Sequence, residues 1–123
     1  MVVDDQAPFR RAAQAVCAMT AGFDCIGDAE SGEDAIDKAD ALDPDLILMD
    51  INLPGINGIE ATRRITEAHP KTTVVLLSTY NADDLPSDAR ASGAVAYVHK
   101  EDFGPNVLED VWAGRQDAGF KNS

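Results

Sequence analysis

Short apolar runs with no alternation of polar and apolar positions constrain the fold of this chain more than any other feature. Leu46-Ile47-Leu48-Met49 is the clearest, and 73–77 and 95–98 have the same character. A strand with one wet face alternates with period two, so an unbroken run of this length belongs to a strand covered on both faces. Between the runs, apolar residues recur every three to four positions, which is helical spacing. Phe9, Ala12, Ala13, Val16 and Met19 set that spacing over 7–20, Ala35, Ile36 and Ala39 after Ser31, Ile59, Thr62 and Ile65 after Asn57, and Val107, Leu108, Val111 and Trp112 over 105–113. Consecutive parallel strands need a long crossover, and helical crossovers are right-handed. Buried strands alternating with helices therefore predict a parallel sheet covered on both faces.

The punctuation supports this reading. Gly22 closes the first helix, Ser31 suits the N-cap of the second, and Leu42-Asp43-Pro44 closes it. His69-Pro70 ends the third, because proline disfavours helical geometry in the residue before it. Val2-Val3 and 23–27 read as two further short strands, and 82–92 as a polar helix ending at Gly93. The expectation is five strands and five helices in one domain, over a length of 123 residues that suits a single core. Residues 1–115 form that domain, and 116–123 read as a polar tail or the start of a linker.

No apolar stretch approaches the roughly 18 residues of a membrane span, and the opening Met1-Val2-Val3 lacks the basic and apolar regions of a secretory signal. Cys17 and Cys25 stand at no metal-ligand or CxxC spacing and read as small hydrophobes. His69 and His99 have no histidine or cysteine partner at ligand spacing and read as surface residues. A cytoplasmic location is expected, without membrane contact. A net charge of −12 repels a polyphosphate backbone, so no direct nucleic-acid binding by this segment is expected.

The ends of the apolar runs carry the chemistry. Val2-Val3 stops at Asp4-Asp5, the central run at Asp50, the next at Ser78, and the last just before Lys100. Ligands of open α/β sheets bind at the carboxyl ends of the strands, where residues distant in sequence converge. One aspartate after a strand is most simply a loop residue or helix cap, one lysine a surface charge, one serine a strand-end hydroxyl bonded to backbone. Together they describe an acidic pocket with one fixed cation. A carboxylate attacks phosphorus only where anion–anion repulsion is relieved, so Asp50 needs positive charge beside it. Asp4, Asp5 and Asp50 offer the hard oxygen donors that Mg²⁺ (or Mn²⁺) takes, and without a cation they raise one another's pKa.

On these residues the chain resembles the receiver domain of bacterial two-component response regulators. The resemblance rests on Asp4-Asp5, on Leu48-Met49-Asp50-Ile51-Asn52-Leu53-Pro54-Gly55, on Ser78 after its apolar strand, and on Gly93-Ala94 leading through Tyr97 to Lys100. The wording from Leu53 to Ala61 and the acidic Glu101-Asp102 are similar to receivers of NarL/LuxR-type transcriptional regulators. The family fold is a doubly wound, five-stranded parallel sheet of order 2-1-3-4-5, flavodoxin-like, with five helices on its two faces.

The resemblance implies the following roles. Asp50 is the phosphoacceptor, served by a sensor histidine kinase. Asp4, Asp5, Asp50 and the backbone carbonyl of Asn52 hold Mg²⁺. Lys100 pairs with Asp50 at rest and with the phosphoryl group afterwards. Ser78 and Tyr97 form the switch, Ser78 moving toward the phosphoryl group and Tyr97 turning inward. Asn52 and Tyr80, two residues beyond Asp50 and Ser78, tune dephosphorylation. The surface from about Asp83 to Ala113 supports phosphorylation-dependent homodimers or partner contacts, with Leu85, Tyr97 and Trp112 as candidates. No enzymatic activity is implied beyond self-phosphorylation and slow self-dephosphorylation.

Three departures stand against the family pattern: a first strand with few residues before Asp4, which suggests an artificial start at Met1; Glu101 where proline usually follows the lysine; and serine at 78 in place of the commoner threonine. The expected output is a DNA-binding transcription-regulator domain outside this chain, the alternatives being a stand-alone receiver acting through protein contacts or a non-phosphorylated scaffold. A phosphatase of the haloacid-dehalogenase type combines similar groups but wants a DxD at the first strand and the acidic pair later. A flavodoxin-like cofactor binder wants a Gly/Ser/Thr-rich loop where Asp4-Asp5-Gln6 stands.

Overall fold

The computed structural model describes residues 1–116 and 120–122. Six parallel strands, β1 (Val2–Val3), β2 (Asp28–Ala29), β3 (Leu46–Asp50), β4 (Thr73–Ser78), β5 (Ala96–His99) and β6 (Lys121–Asn122), form one sheet of order β2-β1-β3-β4-β5-β6. The expected order 2-1-3-4-5 is present, and β6 is added at the outer edge of β5, with Ala96 opposite Lys121 and Tyr97 opposite Asn122. Of the stretch 116–123 read as tail or linker, residues 117–119 and 123 lie outside the described residues.

The apolar runs are buried on both faces for the reason their lack of alternation implies. Val3, Ile47, Met49, Val74, Leu76 and Tyr97 project to one side, where Ala35 and Ala39 of α2 (Gly32–Leu42) and Ile59, Ala61 and Ile65 of α3 (Gly58–Ala68) cover them. Val2, Leu48, Val75, Leu77, Ala96 and Val98 project to the other, against Ala13 and Cys17 of α1 (Ala7–Met19) and Leu108 and Val111 of α4 (Pro105–Ala113). Each such Leu or Val contributes roughly 1.5–3 kcal/mol by leaving water. The helix starts follow their caps: the Ser31 hydroxyl accepts from the Asp34 N–H, and the Asn57 side chain from the Glu60 N–H. No helix among the described residues is long and apolar enough to cross a membrane.

Three expectations are corrected. The described residues contain four α-helices, not five; the segment 82–92 forms two 3₁₀ turns, Ala82–Asp84 and Ser87–Ala89. Pro86 sits in its middle, lacking an N–H and disfavouring helix at Leu85, and the surrounding Asp and Ser residues compete for backbone bonds. The second strand is Asp28–Ala29 rather than 23–27, because β1 offers only Val2 and Val3 for pairing and these stand opposite Asp28 and Ala29. Cys25 is exposed; only Cys17 is a buried hydrophobe.

One glycine controls how the loop after β3 lies against α3. A Cβ on Gly58 would stand 1.9 Å from the Asp50 carbonyl oxygen, so only glycine lets α3 begin directly against the end of β3. The Gly58 N–H donates to the Ile51 carbonyl at 2.9 Å, closing the loop that carries Asn52.

Candidate functional site

Strand register brings the predicted residues together. Val3 stands opposite Met49, Asp50 opposite Leu77, and Ser78 opposite His99, so Asp4, Asp50, Ser78 and Lys100 all emerge at one edge of the sheet. One ligand oxygen from each of Asp4, Asp5 and Asp50 lies within 4.8 Å of the others. Asp4 is fully buried, Asp50 is 4% exposed, and Asp5 is open to solvent.

Each carboxylate is held differently. Asp4 accepts the Gln6 N–H at 2.8 Å and the Lys100 ammonium at 2.6 Å. Asp50 accepts the Asn52 N–H at 3.4 Å and has the Lys100 Nζ at 3.5 Å. Lys100 thus pairs more closely with Asp4 than with Asp50, the partner the resemblance implied, and its ammonium also lies 4.5 Å from the ring centre of Phe9. Burial pushes the Asp50 carboxyl up to about 6; Lys100 pulls it down and the Asp4 charge raises it again. A buried carboxylate beside a second one, short of positive charge, is a site that a small divalent cation would relieve, and three oxygen donors suit hard Mg²⁺.

The pocket, of about 240 Å³, is lined by Asp5, Gln6, Asp50, Asn52, Thr79 and Lys100. Ser78 is buried and does not line it; its Oγ accepts the Tyr80 N–H at 3.2 Å, and Thr79 forms the wall. The Tyr80 hydroxyl donates to the Asn52 side-chain oxygen at 3.2 Å, joining the two residues that flank the pocket. Tyr97 is 1% exposed, with its hydroxyl against the carbonyls of Ser78, at 3.1 Å, and Tyr80. Its hydroxyl is therefore not wet. Of the three residues expected as partner contacts, Tyr97 is buried and Leu85 packs against the core. Trp112 is half-buried between Phe23, with ring centres 6.1 Å apart, and the Arg115 guanidinium.

The histidines hold no metal site among the described residues. His69 pairs with Asp40 at 2.6 Å, and His99 bridges the Thr79 carbonyl and the Glu101 N–H. Sequence reading missed Gln6, Thr79 and Arg10. Gln6 acts through its backbone N–H, which no side-chain identity advertises. Thr79, one residue past Ser78, is a hydroxyl that strand-end reasoning could have included. Arg10 donates to the Asp4 carbonyl from the first turns of α1, a contact visible only in three dimensions.

Residues 1–111 match the family described as the response regulator receiver domain. The chain is 34% identical over 120 residues to the transcriptional regulatory protein DegU of Brevibacillus brevis, covering 98% of this chain and 51% of that protein. It is 38% identical over 115 residues to the response regulator GacA of Pseudomonas viridiflava, covering 94% and 52%. The chain spans about half the length of these curated relatives. Its fold superposes on the response regulator domain of Thermotoga maritima CheB with a TM-score of 0.80 and 28% identity, covering 95% of each chain.

Proposed function

From the premise that this chain belongs to the receiver family of two-component response regulators, we propose that Asp50 accepts a phosphoryl group from the phosphohistidine of a sensor histidine kinase. The observation that carries the reading is the convergence of three carboxylates within 4.8 Å around one lysine, whose Nζ is 2.6 Å from Asp4 and 3.5 Å from Asp50.

With its pKa near 6, Asp50 is mostly carboxylate at neutral pH, which the nucleophile must be. A carboxylate oxygen of Asp50 forms the new bond to phosphorus as the N–P bond breaks to a kinase histidine protonated on its other ring nitrogen, leaving a neutral imidazole and an aspartyl phosphate. Lys100 offers positive charge to the equatorial oxygens. Asp4, Asp5, Asp50 and the Asn52 carbonyl would hold Mg²⁺, which when bound supplies charge neutralisation for the transferring group. The Ser78 hydroxyl proton remains available for a phosphoryl oxygen, because the Tyr80 N–H uses only a lone pair of Oγ.

The backbone of 78–80 links the site to the switch. Tyr97 is bonded to carbonyls of both Ser78 and Tyr80, so a shift of this segment toward the phosphoryl group changes the grip on Tyr97 and biases the surface from about Asp83 to Ala113. That surface serves phosphorylation-dependent homodimerisation or partner contacts, with Leu85 and Trp112 at its margins. Asn52 and Tyr80 limit the approach of water to the acyl phosphate. The chain acts as a phosphoacceptor and not as a catalyst for other substrates, on the cytoplasmic side where kinase domains work. Relationship to DegU and GacA supports a transcription-regulator output in the whole protein.

The test is intact mass after incubation with acetyl phosphate, with and without Mg²⁺, on wild type and Asp50→Ala. Expected is a metal-dependent gain of one phosphoryl group that the variant lacks. No gain by folded wild type, or an equal gain by the variant, overturns the assignment.

A further inference from the structure

We propose that Arg10 is a positioning residue for the cation site, holding the Asp4-Asp5 main chain so that both carboxylates face Asp50; this rests on the reading of that pocket as a Mg²⁺ site. The need arises from the shortness of β1. Val2 and Val3 are its only two residues, each paired with one residue of β2 and one of β3, so the ladder ends before the acidic pair that follows. Beyond the strand, the Asp4 N–H donates to the Ala29 carbonyl at 3.1 Å, and the Asp4 carbonyl beside it is held by a side chain.

Arg10 holds it. Its side chain is 12% exposed, and its fork makes three separate contacts: Nη1 to the Asp4 carbonyl at 2.8 Å, Nε to Asp28 Oδ2 at 3.0 Å, and Nη2 to Glu30 Oε1 at 3.3 Å. Asp28 and Glu30 flank Ala29, the residue that receives the Asp4 N–H. The guanidinium therefore ties the end of β1, the end of β2 and the start of α1 into one frame. A planar guanidinium presents several donors in fixed directions, which an ammonium cannot reproduce. Groups that orient metal ligands from behind typically carry 10–100-fold of metal affinity.

Electrostatics alone predicts the opposite sign. Arg10 is a cation beside a cation site, and deleting it would by Coulomb's law tighten divalent binding. Its charge is already met by Asp28 and Glu30, so its field at the pocket is largely cancelled and its geometry prevails.

The experiment compares wild type, Arg10→Met and Arg10→Lys by Mn²⁺ titration with electron paramagnetic resonance, and Mg²⁺ titration by calorimetry, each after a thermal melt shows the variant folded. Positioning predicts binding about tenfold weaker in Arg10→Met and also weaker in Arg10→Lys, which keeps the charge but loses the fork. It further predicts a raised apparent KM for Mg²⁺ in acetyl phosphate labelling, with the rate at saturating Mg²⁺ within about twofold of wild type. Unchanged or tighter binding in folded Arg10→Met, or wild-type binding in Arg10→Lys, overturns the role of Arg10 while leaving the cation site intact. A wild type that binds neither ion overturns the cation site, and the role of Arg10 with it. If Arg10→Met does not fold, Arg10→Lys decides.

Discussion

Replacing Asp50 by asparagine should stabilise the metal-free domain at neutral pH, although it removes the proposed phosphoacceptor. Asp50 is 4% exposed, and its pKa rises from 3.8 to about 6, chiefly because burial penalises the charged form. Two units at 1.36 kcal/mol each set an upper figure of about 3 kcal/mol for the cost of holding this carboxylate ionised in the folded state. The sign follows from the direction of the shift. A folded pKa above the unfolded one means that the folded state binds the proton more tightly, so the related stability is full below about pH 4 and is lost as pH rises through about 6. Asparagine keeps the shape without the charge, and Lys100 keeps its 2.6 Å pair with Asp4. The assay is thermal unfolding in chelator from about pH 4.5 to 7.5. At about 4 °C per kcal/mol for a domain of this size, Asp50→Asn should melt roughly 4–12 °C above wild type at the upper end of that range. The gap should close toward the lower end, and millimolar Mg²⁺ should narrow it at neutral pH by relieving wild type alone. Equal melting temperatures at pH 7.5, or a gap that does not shrink on acidification, would refute the argument that buried charge at Asp50 strains this fold.

Tyr80→Ala removes the hydroxyl that bonds Asn52 beside the pocket, and the aspartyl phosphate should hydrolyse several-fold faster; an unchanged lifetime by timed intact mass, in this variant and in Asn52→Ala, removes both residues from control of water. Tyr97→Phe takes the donor from the buried Ser78 carbonyl and from that of Tyr80 and should lower stability by about 1–3 kcal/mol in urea unfolding, with little change in Mg²⁺ affinity; a neutral result would mean the hydroxyl does not hold the 78–80 segment.

Much of the fold was legible because its signals are local. Unalternating runs at 46–49, 73–77 and 95–98 identified buried strands, and the cap Ser31 and the break at His69-Pro70 follow rules that act within a few residues. The misreadings share one cause. At 82–92 and 23–27 local pattern was weak, and the outcome depended on Pro86 in one case and on the two residues that β1 offers as a partner in the other. The convergence of Asp4, Asp5, Asp50 and Lys100 was also legible, since parallel strands deliver their ends to one edge.

By itself, then, the sequence determined the buried strands at 46–49, 73–77 and 95–98, the four α-helices, and the sheet edge to which Asp4, Asp5, Asp50 and Lys100 are delivered, because hydrophobic period and strand polarity are properties of the chain read in order. Only the tertiary structure decided how those side chains pair. Lys100 and Asp4 are 96 positions apart, and their 2.6 Å contact depends on how deeply each strand end is buried and how neighbouring loops close over it. The same holds for the inward Tyr97 hydroxyl, the Thr79 wall and the Arg10 fork. A hydrogen bond is made or lost within a few tenths of an ångström, and that precision comes from packing, which no period in the chain encodes.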